Sequence, residues 1–409
     1  MIRSPPSLPS EAISCPHCGL VQSAPEASRG SVLECVRCGH TLSAPAVAGI
    51  DISLAFSAAA LVLLLPSALA PLMSLTSFGV QRRSWLPTGV EALWKDGFAS
   101  LAIVVFFFSI VIPFVYLGLM VYVLGALRLR ISAPLGKLFR CACELRPWAM
   151  IEVYLVGCCV AYTRLQDVGD VHIGLGGWCL MAATFAVLLA TATLDEDAVW
   201  AALSVPDEPA RSHRTVHCDT CGLLVDAKDE HSECRRCGAR VHRRKPATIQ
   251  RTLALVIAGF LLYLPANLLP VLSVERFGRM EPNTILSGVR ELVTLGLWPL
   301  AIVVFAASIL IPLAKLCGLS LMLVMTHLRS RRWLVGRTQL YRFIDFIGRW
   351  SSIDLFMISI LVALVQFGNL TRVRPQGGAL AFAAVVIVTM LASRCFDPRV
   401  MWDAAERTA

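Results

Sequence analysis

Eight cysteines stand in four CxxCG units: Cys15 and Cys18, Cys35 and Cys38, Cys218 and Cys221, Cys234 and Cys237. Thiolates are soft ligands, and four of them can close a tetrahedron around zinc. Glycine comes directly after each unit at Gly19, Gly39, Gly222 and Gly238, where a tight knuckle needs backbone freedom. The spacers between paired units are 16 and 12 residues, enough for a short hairpin that brings two knuckles together. The pattern therefore predicts two closed structural sites with two zinc ions, with an iron–sulfur centre or a rubredoxin-like iron site as the metal alternative. A thioredoxin-like redox pair would need a βαβ setting that these short segments lack. His17, His40, His213 and His217 lie near the clusters, but the sulfurs already complete each set, so these imidazoles are expected outside the ligand shell.

A second group of chemically able residues lies in apolar sequence. Lys315 comes after "SILIPLA", Asp354 sits in "RWSSIDLFMIS", and Glu152 takes the equivalent place in "RPWAMIEVYLV". Charge inside a membrane span is costly and faces a protein interior or an aqueous cavity. Lys315 and Asp354 are expected to meet and compensate each other, with Ser308, Ser351 and Thr389 close by. Two readings stand beside each other: a buried ion pair that fixes helix packing, and a proton-responsive or gating cluster. Glu152 and Asp354 could also snorkel toward the interface.

The elements that must hold these residues come in a repeat. "LLLLPSALAPLMS" behind the first cysteines matches "LLYLPANLLPVLS" behind the second, and "AIVVFFFSIVIP" matches "AIVVFAASILIP". At an offset of 199 residues Pro66, Pro71, Gly89 and Pro113 correspond to Pro265, Pro270, Gly288 and Pro312. "TGVEALW" from Thr88 matches "SGVRELV" from Ser287, and each is expected to form a short helix at the membrane surface. The composition is 56% hydrophobic and 16% charged, with mean hydropathy +0.67. Eight apolar runs lie at about 50–73, 98–127, 149–166, 173–194, 252–274, 297–327, 353–370 and 377–394. Helices satisfy their own backbone in lipid, and the alternation of a membrane barrel is absent. The expected fold class is an all-α polytopic membrane protein. Two transmembrane domains, 49–200 and 249–396, would accompany two small four-cysteine modules, 1–48 and 201–248, and a tail, 397–409.

Charge sets the expected orientation. Segments 128–148 and 328–350 hold five and six Lys or Arg, and 195–251 holds ten. The opposite loops at 164–172 and 371–376 hold one and two. By the positive-inside rule both termini and both modules are cytoplasmic. The net charge of +9 comes from basic residues beside span ends, where anionic lipid attracts them, so nucleic acid is not an expected partner. No phosphate-binding loop, nucleophile elbow or HExxH motif accompanies the spans, and the chain does not read as an enzyme.

These features together, with "LPANLLPVL", "SILIPLAKL" and "IGRWSSIDLF", resemble the paraquat-inducible protein A family, which includes LetA-like lipid-transport proteins. The resemblance spans nearly the whole chain. It implies a Gram-negative bacterial inner-membrane component that works with an MCE-domain tunnel protein. It also implies phospholipid or other lipid trafficking across the envelope, support of envelope integrity, two small cytoplasmic zinc-ribbon-like modules and two four-helix transmembrane domains. It carries a polar transport network onto Ser308, Lys315, Ser351, Asp354 and Thr389, with Glu152 as the first-half acid and Ala149 lacking a polar group. The alternatives are a scaffold that positions the tunnel without moving lipid, and a metal or redox sensor.

Overall fold

The computed structural model describes residues 12–23, 32–43, 49–77, 79–131, 134–166, 169–203, 215–226, 233–276, 279–365 and 371–406. The first cysteine set lies on two hairpins, β1 (Ala12–Ser14) with β2 (Val21–Ser23) and β3 (Leu33–Glu34) with β4 (Thr41–Ser43). The first span is α1 (Ile50–Leu69), succeeded by β5 (Met73–Ser77), β6 (Val80–Ser84) and the short helix α2 (Thr88–Lys95). The second span joins α3 (Ala99–Phe106), a π-helical turn over Phe107–Val111, and α4 (Ile112–Arg128). The third joins α5 (Leu135–Leu145), a 3-10 turn over Arg146–Trp148, and α6 (Ile151–Leu165). Strand β7 (Asp170–Ile173) leads into the fourth span, α7 (Leu175–Thr193), and α8 (Glu196–Ala202).

The second half repeats this order. After β8 (Thr215–His217) and β9 (Leu224–Asp226) come α9 (Thr248–Leu268), β10 (Leu272–Arg276), β11 (Arg279–Asn283) and α10 (Ile285–Thr294). Helix α11 (Trp298–Phe305), a π-helical turn over Ala306–Leu310 and α12 (Ile311–His327) form the sixth span. Helix α13 (Leu334–Ile347), a 3-10 turn over Gly348–Ser352 and α14 (Ile353–Leu364) form the seventh. Strand β12 (Thr371–Pro375), α15 (Gly377–Cys395) and a tail helix α16 (Arg399–Glu406) complete the chain.

Among the described residues eight helical segments are long and apolar enough to cross a membrane, the number expected. Their limits differ from the apolar runs in ways that have causes. The third and seventh begin at Leu135 and Leu334, not at 149 and 353, so Glu152 and Asp354 lie in the middle of 31-residue segments. The added stretches are amphipathic rather than uniformly apolar, which hid them. The first and fifth spans end at Leu69 and Leu268. Pro71 and Pro270 have no N–H to continue the ladder, and the chain turns into a strand instead. The expected end of the seventh run, 366–370, lies outside the described residues.

Each half carries an unexpected three-stranded antiparallel sheet at the end of the bundle opposite the modules. The strand after the first span is central in both: β5 between β6 and β7, β10 between β11 and β12. Met73 pairs with Ser84 and Ile173, and Leu272 with Asn283 and Pro375. Pro282 and Pro375 are confined to edge strands, where a missing N–H leaves no gap in the ladder.

Small residues let the spans approach. Helix α1 buries Ser53, Ser57, Ala60, Leu64 and Ser67, a stripe at helical spacing. It packs along α7, where Ser53 donates to the Ala190 carbonyl at 3.1 Å. Helix α9 packs along α15 in the same way. Small side chains at such seams let helix backbones meet closely in lipid. Between the halves α6 packs on α14, with Gly157 against Phe356. Every side chain from Ile353 to Val362 is buried, so α14 is surrounded by protein on all sides. That is the setting in which a spanning carboxylate is tolerated.

Candidate functional site

Each cysteine set closes on itself. All four sulfurs of a set lie within 4.8 Å of one another. Cys15 and Cys38 approach to 3.5 Å, as do Cys18 and Cys35. Cys218 and Cys237 are 3.5 Å apart, and Cys221 and Cys234 3.4 Å. A tetrahedral ion with bonds of about 2.3 Å separates its sulfurs by about 3.8 Å, so both cages fit a four-thiolate ion such as zinc. The knuckles form as the sequence requires. Gly19 N–H donates to the Cys15 carbonyl and Gly238 N–H to that of Cys234. All four knuckle glycines have φ between +64° and +74°. His17 and His40 remain outside the cage and meet edge to face at 4.2 Å. Burial, with the charges of His40 and Arg342 adding, pushes the His17 imidazole down to about 4. His213 lies outside the described residues.

The modules dock across the repeat. The first packs against the second half: its cysteines cluster with Trp402 and Leu334, His17 faces Tyr341, and Arg37 lies 4.5 Å over the Trp402 ring. The second packs against the first half. The Arg236 carbonyl reaches Gly136 at the start of α5, and Gly238 meets Lys137. Helix α16 ties both together. Arg399 pairs with Asp219 and Asp397, Arg244 with Asp403, and Arg37 with Glu406. Burial works against the Asp397 carboxylate, but the Arg399 hydrogen bonds and charge outweigh it and hold the group below the usual range. No local pattern marked these tail residues.

The spanning polar residues form two separate groups, and this corrects the expected Lys315–Asp354 contact. Among the described residues no ion pair joins them. Lys315, fully buried, donates from Nζ to Thr389 Oγ1 at 3.0 Å. Thr389 in turn donates to the Val386 carbonyl. Gly348 faces the same ammonium, and Ser351 donates to the Gly348 carbonyl at 3.2 Å. Asp354 instead accepts from Ser308. The Ser308 hydroxyl also lies 2.7 Å from the Val304 carbonyl, so one proton faces two acceptors. The other carboxylate oxygen, Oδ1, is buried without a hydrogen-bond partner among the described residues. Glu152 stands in the first turn of α6, in the other half.

The separation stems from the π-helical turn over Ala306–Leu310. Straight α-helical spacing would put Ser308 and Lys315 on one face. An extra residue in one turn rotates the remainder of the helix by about 100°. Both halves place this turn just before a proline, Pro113 or Pro312, whose ring cannot accept regular helical geometry beneath it.

Two cavities flank these groups. One of 790 Å³ on the module side is lined by His17, Arg146, Arg342, Asp345, Gly348 and Arg394. It adjoins the Lys315 group through Gly348. The other, of 480 Å³ on the sheet side, is lined by Asp354 and by Arg164 from the first half. Arg164 was not among the expected site residues, and its only signal in the sequence is its position at the end of an apolar run. Buried charges of opposite sign, neither held in a direct ion pair among the described residues and each beside a different cavity, can bind a charged group or exchange a proton with water.

The sequence profile of the family described as Paraquat-inducible protein A matches residues 50–204 and 249–406. The chain is 31% identical over 402 residues to the Intermembrane transport protein PqiA of Escherichia coli K12, covering 96% of this chain and 95% of that one. It is 30% identical to the Lipophilic envelope-spanning tunnel protein A of the same organism, over 96% of this chain and 91% of the relative. A Probable intermembrane transport protein of Haemophilus influenzae is 27% identical over 98% of both chains. No solved structure matches.

Proposed function

Because the chain belongs to the paraquat-inducible protein A family, we propose that it is the bilayer-embedded component of an envelope lipid-transport system. It loads or receives phospholipid for a periplasm-spanning MCE-domain tunnel from the inner membrane of a Gram-negative bacterium. Both termini and both modules are cytoplasmic, each module holds one zinc ion through its four cysteines, and each membrane half acts as a four-helix domain. Relatives named for intermembrane transport and for an envelope-spanning tunnel support this reading.

The observation that carries it is the pair of buried polar groups, Ser308 with Asp354 and Lys315 with Thr389, in spans that packing alone would keep apolar. Burying these charges without a direct ion pair among the described residues raises the energy of this conformation. Such groups persist where a working cycle uses them. Ser308 has one proton for two acceptors, and protonation of Asp354 supplies the missing hydrogen. Lys315 has no counterpart in the first half, where Tyr116 stands, so the second half carries the more demanding step.

Lipid transfer from proteoliposomes to the tunnel partner tests this at equal protein abundance. Lys315→Met and Asp354→Asn should impair transfer more than Tyr116→Phe. Near-normal transfer by both well-folded charge variants would reduce the groups to packing. Transfer that depends only on tunnel docking would replace the reading with a scaffold.

A further inference from the structure

The two halves are related by sequence but not closed alike, and the difference leaves a site. In the first half the surface helix α2 is seated on α14 through Gly89. A Cβ there would lie 2.2 Å from Ser359 Oγ and 2.9 Å from the Ser359 carbonyl. The matching glycine, Gly288 on α10, meets no such backbone. Its nearest neighbours are the Arg164 guanidinium nitrogens, at 3.5 and 3.7 Å. The second seam is held open around the 480 Å³ cavity.

Its lining is aliphatic and charged, with Asn283, Thr284 and Ser287 as uncharged polar groups. Most of the wall is aliphatic, including Leu272, Ile285, Val304 and Met357. The charged groups are Arg164, Asp354, Glu281 and Glu291. Arg164 has no carboxylate within ion-pair distance among the described residues, and its buried Nε has no hydrogen-bond partner. Asp354 is only 4% exposed, and its Oδ1 is unpartnered. A guanidinium with no carboxylate in ion-pair contact among the described residues is left to take a phosphate, which it can grip with two parallel hydrogen bonds. Three carboxylates against one arginine disfavour a ligand whose net charge is negative. They favour one that carries its own cation beside the phosphate.

We propose that this cavity is a headgroup site selective for a zwitterionic aminophospholipid. Arg164 takes the phosphate, Glu291 and Asp354 take the primary ammonium, and the aliphatic wall takes the start of the acyl chains. The proposal rests on the reading of the chain as a lipid carrier and names the lipid class. Glu291 is absent from the closed seam, where the matching residue is Ala92. The acid therefore belongs to the open site rather than to the repeat.

The test uses the full chain in nanodiscs of equal phosphatidylethanolamine and phosphatidylglycerol, extracted in mild detergent, with retained lipid counted by mass spectrometry. The wild type should retain phosphatidylethanolamine over phosphatidylglycerol by about tenfold, the worth of one charge-assisted hydrogen bond. Glu291→Gln, on an exposed face of α10, should abolish the preference while lipid is still retained. Arg164→Gln should lower retention of both, and Arg164→Lys should restore part of it. Added glycerophosphoethanolamine should not displace the lipid; displacement would mean that a soluble headgroup compound is the ligand and would overturn the proposal. Retention without headgroup preference, or an unchanged ratio in Glu291→Gln, would overturn it and leave the transport reading intact. Failure to retain any phospholipid would remove both.

Discussion

Gly136→Ala tests whether the second metal module depends on the half it docks against. A Cβ at Gly136 would lie 1.9 Å from the Arg236 carbonyl oxygen and 3.6 Å from the Cys237 Cα. The clash is with backbone, which cannot swing aside as a side chain would. To reach even 3.0 Å the knuckle must retreat by about 1.1 Å, and it carries the ligand Cys237. Such overpacking costs about 1–3 kcal/mol. Docking and metal binding both require the folded module, so they are linked and the loss is shared reciprocally. Metal affinity at the second site should then fall about 5- to 150-fold. A four-thiolate zinc site is worth about 10–16 kcal/mol, so metal content after purification should stay at two per chain. The effect must be read by competition. Titration with a chromogenic chelator should release one ion at the wild-type midpoint and one at a midpoint lowered by that factor. Gly125→Ala, which meets nothing within 4 Å, is the control. Release of both ions at wild-type midpoints from Gly136→Ala would refute the docking argument. Stoichiometric iron would refute the zinc assignment.

The matched glycines of the surface helices should respond with opposite sign. Gly89→Ala drives into the Ser359 backbone and should cost about 1–3 kcal/mol, whereas Gly288→Ala meets only ordinary contacts and should gain up to about 1 kcal/mol of helix propensity. Thermal unfolding in detergent gives both signs. Asp397→Asn removes one of the two carboxylates paired with buried Arg399 and should cost about 1.5–3 kcal/mol, seen as faster proteolysis of the tail helix. The folded Asp397 value is depressed, so its contribution is complete above the unfolded value of about 3.9. It is lost only as pH falls through the folded value. Wild-type tail cleavage should therefore be flat between about pH 5 and 8, and a rise across that window would contradict the pairing. Val80→Cys and Met280→Cys, both at exposed positions, should label with an impermeant maleimide from the periplasmic side in a cysteine-reduced background. Protection until the membrane is permeabilised would reverse the proposed orientation.

The sequence by itself determined what is local. A CxxCG unit contains its whole turn, ligands and positive-φ glycine included, so the knuckles were legible residue by residue. Twenty apolar residues in a row identify a span wherever it packs, and the repeat emerged from direct comparison of the two halves. Only the tertiary structure decided what depends on rotation and on partners far along the chain. The π-helical turn before Pro312 shifts the face that carries Lys315, so Ser308 met Asp354 while Lys315 met Thr389. Each sheet needs a third strand about a hundred residues away, and no alternation in so short a strand announces it. The crossed docking of the modules rests on Trp402 and Gly136, residues with no local signal of a partner. Repeated sequence implies like seams, yet Gly89 closes on Ser359 while Gly288 stays open over Arg164. What fills that position comes from the other half of the chain, and no pattern within one half encodes it.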